Sequence, residues 1–153
     1  FDAILDSACG GDADLSFSKP RDHLYKVVCT LPGKDGRTQT VYIKTGNTDS
    51  RVMDRENIHN EYIVFYTPCG PVNEAAFSKI LSINALRLSP DKLAKSRFGF
   101  TQGAIGTLDN EFIMIDTQFL EAVTKDSVSR GIRVLATIGD EIEKKLTGGA
   151  DSR

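Results

Sequence analysis

Apolar and polar residues change period several times along this chain, and each change marks an element. At the start, Ile4, Leu5 and Ala8 share a helical face and Gly10-Gly11 closes it, so Phe1 to Cys9 predicts a helix end. The polar stretch Asp12 to Asp22, with Pro20, predicts a loop. His23 to Leu31 is rich in β-branched and aromatic residues, and Pro32 to Gly36 is turn chemistry with Asp35-Gly36 at its core. Thr38 to Lys44 alternates and returns as a second strand, with Val41 and Ile43 on one side and Thr40, Tyr42 and Lys44 on the other. Gly46 to Asn60 is a polar connection. Glu61 to Thr67 predicts a third strand, ended by Pro68-Cys69-Gly70-Pro71.

From Asn73 to Leu88 the period lengthens. Ala76, Phe77, Ile80, Leu81, Asn84 and Leu88 fall on one helical face, with Asn73 as N-cap and Glu74 in the first turn. Ser89-Pro90 ends that helix. Asp91 to Lys95 adds a short helical turn, and Arg97 to Thr101 predicts a fourth strand. Gly103 to Gly106 is a bend or that strand's continuation. Leu108-Asp109-Asn110 turns the chain into a fifth strand, Glu111 to Asp116. After Thr124 the pattern is clearest. Val128, Ile132, Leu135, Ile138, Ile142 and Leu146 recur every three or four residues, predicting a helix of about six turns. Glu141, Glu143, Lys144 and Lys145 fall on its wet side, Gly148-Gly149 closes it, and residues 147–153 fray.

The expected architecture is therefore α+β, in the order α-βββ-α-ββ-α. It is a twisted antiparallel sheet of about five strands with helices packed on one face, in one domain spanning residues 1–153. A chain of 153 residues with 40% hydrophobic and 26% charged residues can bury such a core. The net charge of −2, without a basic stripe, argues against nucleic acid and against an anionic membrane surface. No apolar run reaches the roughly 18 residues of a membrane span. Phe1 to Cys9 lacks the basic start of a signal peptide, and the beginning at Phe1 suggests a trimmed version of a longer protein. Three widely spaced cysteines, Cys9, Cys29 and Cys69, fit reduced thiols and a cytoplasmic location.

A search for chemistry yields little. The phosphate-loop pattern is absent, and Gly103 to Gly106 lacks the strand-glycine-helix order of a nucleotide site. His23, His59 and the cysteines never reach metal-ligand spacing. Glu141 and Glu143 are two apart on a helix and do not face each other. Cys69 with His59 is the best catalytic pair on offer, and a small thiol-dependent enzyme is one alternative reading. Asn84, an amide on an apolar face, is assigned a structural clamp. No cofactor or metal is expected.

Leu81-Ser82-Ile83-Asn84-Ala85-Leu86, the stretch Gly36-Arg37-Thr38-Gln39-Thr40-Val41, and Gly139-Asp140-Glu141-Ile142-Glu143-Lys144-Lys145-Leu146-Thr147-Gly148 resemble motifs of one superfamily. It is the YbjN-like and type III secretion chaperone-like (Tir chaperone, CesT-type) superfamily of bacteria. Two departures are an insertion at Ser89 to Lys95 and a first helix reduced to a stub. The resemblance implies an α+β fold, often dimeric, that holds an extended client segment and carries no catalytic residues. Asn84, Asp140 and Glu143, which lie within these motifs, are expected to be structural. The expected function is thus a non-enzymatic protein-binding module, with a homodimeric regulatory or assembly module as another alternative. Client contacts are expected on the sheet face opposite the helices, from Tyr42 and Tyr62 or from Ile63 and Phe65, depending on which parity faces outward.

Overall fold

The computed structural model describes residues 1–33, 36–45, 62–87 and 104–148. Helix α1 (Asp2–Cys9) leads into β1 (Leu15–Arg21), β2 (Leu24–Thr30), β3 (Thr38–Lys44) and β4 (Tyr62–Pro71). Helix α2 (Glu74–Arg87), β5 (Ala104–Leu108), β6 (Glu111–Phe119), a 3-10 turn (Leu120–Ala122) and helix α3 (Lys125–Thr147) follow among the described residues. The six strands among the described residues form one antiparallel sheet in the order β1-β2-β3-β4-β6-β5. The α+β class and the antiparallel sheet agree with expectation, and the described residues hold six strands where about five were expected.

The extra strand is β1, which falls in the stretch expected to be a loop. Only Leu15 of its residues is buried, so no alternation is visible in the sequence. At the sheet edge a strand needs one hydrogen-bonding partner and can leave its side chains in water. Pro20 is tolerated there, within an irregularity between Ser18 and Arg21. Strands β2 and β3 do alternate. Tyr25, Val27 and Cys29 turn inward beside Val41 and Ile43, with Val27 opposite Val41 and Tyr25 opposite Ile43.

Strand β4 also runs longer than expected, through Pro68-Cys69-Gly70-Pro71. A bulge between Pro68 and Gly70, with Gly70 at φ 122°, lets the pairing to β6 resume at Gly70–Phe112. Pairing with β3 spans only Val64 to Tyr66, so the prolines lie where β4 is laddered on one side. The β5–β6 connection is a two-residue turn. Asp109 and Asn110 take φ of 49° and 65°, the left-handed pair that such tight hairpins need and that Asx residues tolerate. The strand expected at Arg97 to Thr101 lies outside the described residues. Strand β5 begins just after it, on the glycine-containing stretch.

Helix α3 crosses the sheet and supplies its largest cover. Val128, Ile132, Leu135, Ala136 and Ile142 are buried, and the core they join with Leu5, Val27, Ile43, Ile63, Phe65, Phe112 and Met114 is continuous. Thr124 caps it through a reciprocal box with Ser127, and Gly148 ends it at φ 72°. Helix α2 starts at its expected N-cap, where Asn73 Oδ1 accepts from the Ala76 amide at 2.9 Å. Its apolar face is narrower than the sequence suggests. Ala76 and Ile80 are buried, whereas Phe77 is 48% and Leu81 61% exposed. The side chain of Asn84 lies outside the described residues.

Arg133 of α3 ties down the α1–β1 turn, bonding the carboxylate of Asp12 and lying 3.8 Å from that of Asp14. That contact, then the Asp14 backbone amide, holds the Asp12 carboxyl below its ordinary value of 3.8. A lowered folded-state value means that this stabilisation is present above about pH 4 and is lost as the pH falls further. Asp12→Asn is therefore expected to flatten the acid limb of stability below about pH 4. Denaturant midpoints at pH 5 and pH 2.5 check this. Asp2, lowered first by Tyr25 and then by Lys19, keeps part of the slope in the variant.

Candidate functional site

Two features stand apart from the plain apolar core: a polar junction beneath α3 and the face of the sheet turned away from the helices. The junction begins where β3 and β4 stop pairing. There, side chains replace the missing ladder. Gln39 Nε2 donates to the Pro68 carbonyl and to Thr67 Oγ1, both at 2.8 Å, and Thr67 Oγ1 donates to the Thr40 carbonyl at 2.7 Å. Both residues are buried, so these bonds satisfy groups that water cannot reach. Helix α3 presses on the pair through Gly139. A Cβ at that position would lie 2.6 Å from Thr67 Cγ2 and 3.2 Å from Gln39 Nε2.

Next along α3, Asp140 is 1% exposed and Glu143 2%. Asp140 Oδ1 meets Arg37 Nη2 at 2.8 Å, and its Oδ2 lies 3.4 Å from Lys144 Nζ. Glu143 is thus not on the wet side of its helix, as its position beside Lys144 and Lys145 suggested. Residues 132, 136, 139, 140 and 143 share one broad stripe at spacings of three and four, and that stripe faces inward. The structure brings Arg37 of one motif against Asp140 of the other, and Gln39 beneath Gly139. The Arg37–Asp140 pair links α3 to the start of β3, and the Gln39–Thr67 bonds link β3 to β4.

The second face of the sheet follows from the pairing. One row runs Lys26, Tyr42, Tyr66, Ile115 across β2, β3, β4 and β6. Val28, Lys44 and Val64 have the same parity, and all of these residues are half-buried. The rings of Tyr42 and Tyr66 stack at 5.1 Å and 18°, and Lys44 Nζ lies 6.0 Å from the Tyr66 ring. Burial, and then the neighbouring Tyr42, raise the Tyr66 phenol above its ordinary value of 10.0, so it stands as a neutral hydroxyl. Among the described residues, the helices pack on the other face, with Tyr25, Val27, Ile43 and Phe65.

The pairing settles the parity that the sequence left open. Ile63 and Phe65 are 0% exposed in the core, which corrects their candidacy as client contacts. Tyr42 belongs to the second face. Tyr62 pairs with Phe119 through the backbone, and its side chain lies outside the described residues. Tyr66 and Lys26 escaped the sequence reading. The signal for Tyr66 was its spacing of four from Tyr62, which gives both the same strand parity.

Among the described residues, no cluster of three His, Cys, Asp or Glu is placed to hold a metal ion. The Cys69 thiol is buried and donates to the Thr67 carbonyl at 3.5 Å, and His59 lies outside the described residues. Burial, followed by the charges of Asp12 and Asp6, pushes the Cys9 thiol up to about 11. Burial raises Cys29 as well. A thiol-specific reagent at neutral pH is accordingly expected to label none of the three cysteines rapidly in the native protein and all three in denaturant. Counting released thiolate against time checks this, and rapid labelling of Cys69 would favour the thiol-enzyme alternative.

The fold and this face define an α+β protein with one sheet face committed to the core and the other laid out as a row of basic, aromatic and aliphatic side chains. Comparison with protein-family models and with curated proteins finds no match to this sequence. Among the described residues, no helix is long and apolar enough to cross a membrane.

Proposed function

We propose that this chain is a non-enzymatic protein-binding module that holds an extended segment of another polypeptide against the second face of its sheet. The observation that carries this reading is the stacked Tyr42–Tyr66 pair, flanked by Val28, Val64, Ile115 and Lys44, on a face against which no described helix packs. Aromatic side chains that already hold one another offer contact area at little further cost in side-chain order. The thiols buried beneath the other face fit a reducing compartment such as the cytoplasm. The resemblance to secretion chaperones and YbjN-like proteins points the same way.

The test begins with co-purification and mass measurement of the bound chains, followed by mapping of the captured segment. Affinity for that isolated segment should fall at least about tenfold in a Tyr42→Ala/Tyr66→Ala variant, the loss of one or two well-packed anchors. A Phe77→Ser variant, altered on exposed α2, should bind normally. Unchanged binding by the tyrosine variant would sink the reading. A protein that purifies alone as a stable dimer would instead favour the homodimeric assembly module.

A further inference from the structure

The second face has a chemical direction as well as a position. The row across it reads basic, aromatic, aromatic, aliphatic: Lys26, Tyr42, Tyr66, Ile115. The neighbouring row adds the Lys44 ammonium beside Val64. Asp116, the one carboxylate among residues 113–117, pairs with Phe65 and so has the parity of the helix-covered face. Asp109 and Glu111 lie at the far end, at the β5–β6 turn. Arg21 and Asp109 both lie close enough to act electrostatically on the Tyr66 hydroxyl, in opposite senses, so the cationic side is set by Lys26 and Lys44 and the acidic turn reaches only the aromatic pair. The β2–β3 side of this face is therefore cationic among the described residues, although the whole chain carries a net charge of −2.

Strand spacing converts this row into a ruler. Three spacings of about 4.8 Å separate β2 from β6, about 14 Å in all. An extended peptide advances about 3.4 Å per residue and turns every second side chain to the same side. Residues i, i+2 and i+4 of such a peptide therefore reach Lys26, the tyrosine pair and Ile115 in turn. We infer that the segment held here is an acidic-apolar peptide, with a carboxylate at i over Lys26 and Lys44 and apolar side chains at i+2 and i+4. This rests on the protein-binding reading above and specifies its partner. Charge complementarity selects the end of the peptide, and the apolar pair supplies the remaining contact.

The probe is a fluorescently labelled Ser-Glu-Ser-Leu-Ser-Leu-Ser peptide, titrated with the full chain by anisotropy. Its controls are Ser-Lys-Ser-Leu-Ser-Leu-Ser and a version with the glutamate moved one place, onto the other side of the extended chain. The glutamate peptide is expected to bind at least about tenfold tighter than both, and more weakly as salt rises. Lys26→Glu/Lys44→Glu should reverse the preference, with Lys26→Gln/Lys44→Gln abolishing it if the reversal does not fold. Equal binding of all three peptides, lost in the Tyr66→Ala variant, would overturn the acidic specificity and leave the protein-binding face standing. No binding of any peptide at millimolar protein, or tighter binding of a ten-residue oligothymidylate, would overturn both.

Discussion

Replacing Arg37 by leucine is expected to destabilise the protein by about 2–4 kcal/mol, because it strands a buried carboxylate. Asp140 is almost fully enclosed, and Arg37 meets one of its oxygens at 2.8 Å. Removing the guanidinium leaves Lys144 at 3.4 Å from the other oxygen, which keeps the effect below that of a fully orphaned charge. Lys144→Ala should cost less than about 1 kcal/mol, since that side chain is well exposed and spaced i,i+4 on the helix. The Arg37→Leu/Asp140→Leu double variant should be more stable than Arg37→Leu alone, because the Asp140 carboxylate is then no longer buried without its guanidinium. Urea midpoints at constant slope measure all three. A single variant no less stable than the double would show that the carboxylate is not held by Arg37.

Gly139→Ala is expected to lower stability by about 1–3 kcal/mol, while Gly131→Ala on the same helix is close to neutral. Alanine ordinarily favours a helix over glycine by about 1 kcal/mol, so both changes begin with a gain. At Gly139 the new Cβ meets the Thr67 methyl at 2.6 Å. Thr67 cannot swing aside, because its hydroxyl is fixed between Gln39 and the Thr40 carbonyl. At Gly131 the atom in the way, at 2.7 Å, is Gln118 Nε2, the far end of a flexible side chain whose bond to Ser127 O is long at 3.3 Å. It can give way. Thr67→Ser, which removes only the obstructing methyl, should recover part of the loss in Gly139→Ala. Thermal melts of the single and double variants would show the coupling. An equal effect at both glycines would rule out this close approach of helix to sheet.

Helix α3 was legible in the sequence because a long helix with one buried stripe prints its period directly: Val128, Ile132, Leu135 and Ile142 all face the core. Strands β2 and β3 were legible for the same reason, through period-two alternation. Strand β1 was not, since an edge strand that buries little leaves no alternation to detect. The extension of β4 past Pro68 was hidden because proline and glycine signal a turn unless a bulge and a one-sided ladder accommodate them. The motifs containing Arg37, Gln39, Asp140 and Glu143 were visible as patterns, but their meeting point was not. About a hundred residues separate the two, and only the crossing of α3 over β3 brings them into contact.

By itself, the sequence determined the α+β class, the dominant helix with its Thr124 and Gly148 ends, and the alternation that makes a sheet with two unlike faces. These properties rest on local periodicity and capping, which neighbouring residues encode between them. Only the tertiary structure decided that Ile63 and Phe65 belong to the core while Tyr42 and Tyr66 stack on the other face. Alternation separates two sets of side chains but does not say which one a distant helix will cover. That choice is made where α3 lands on the sheet, by apolar burial and by the Asp140–Arg37 pair that fixes its position.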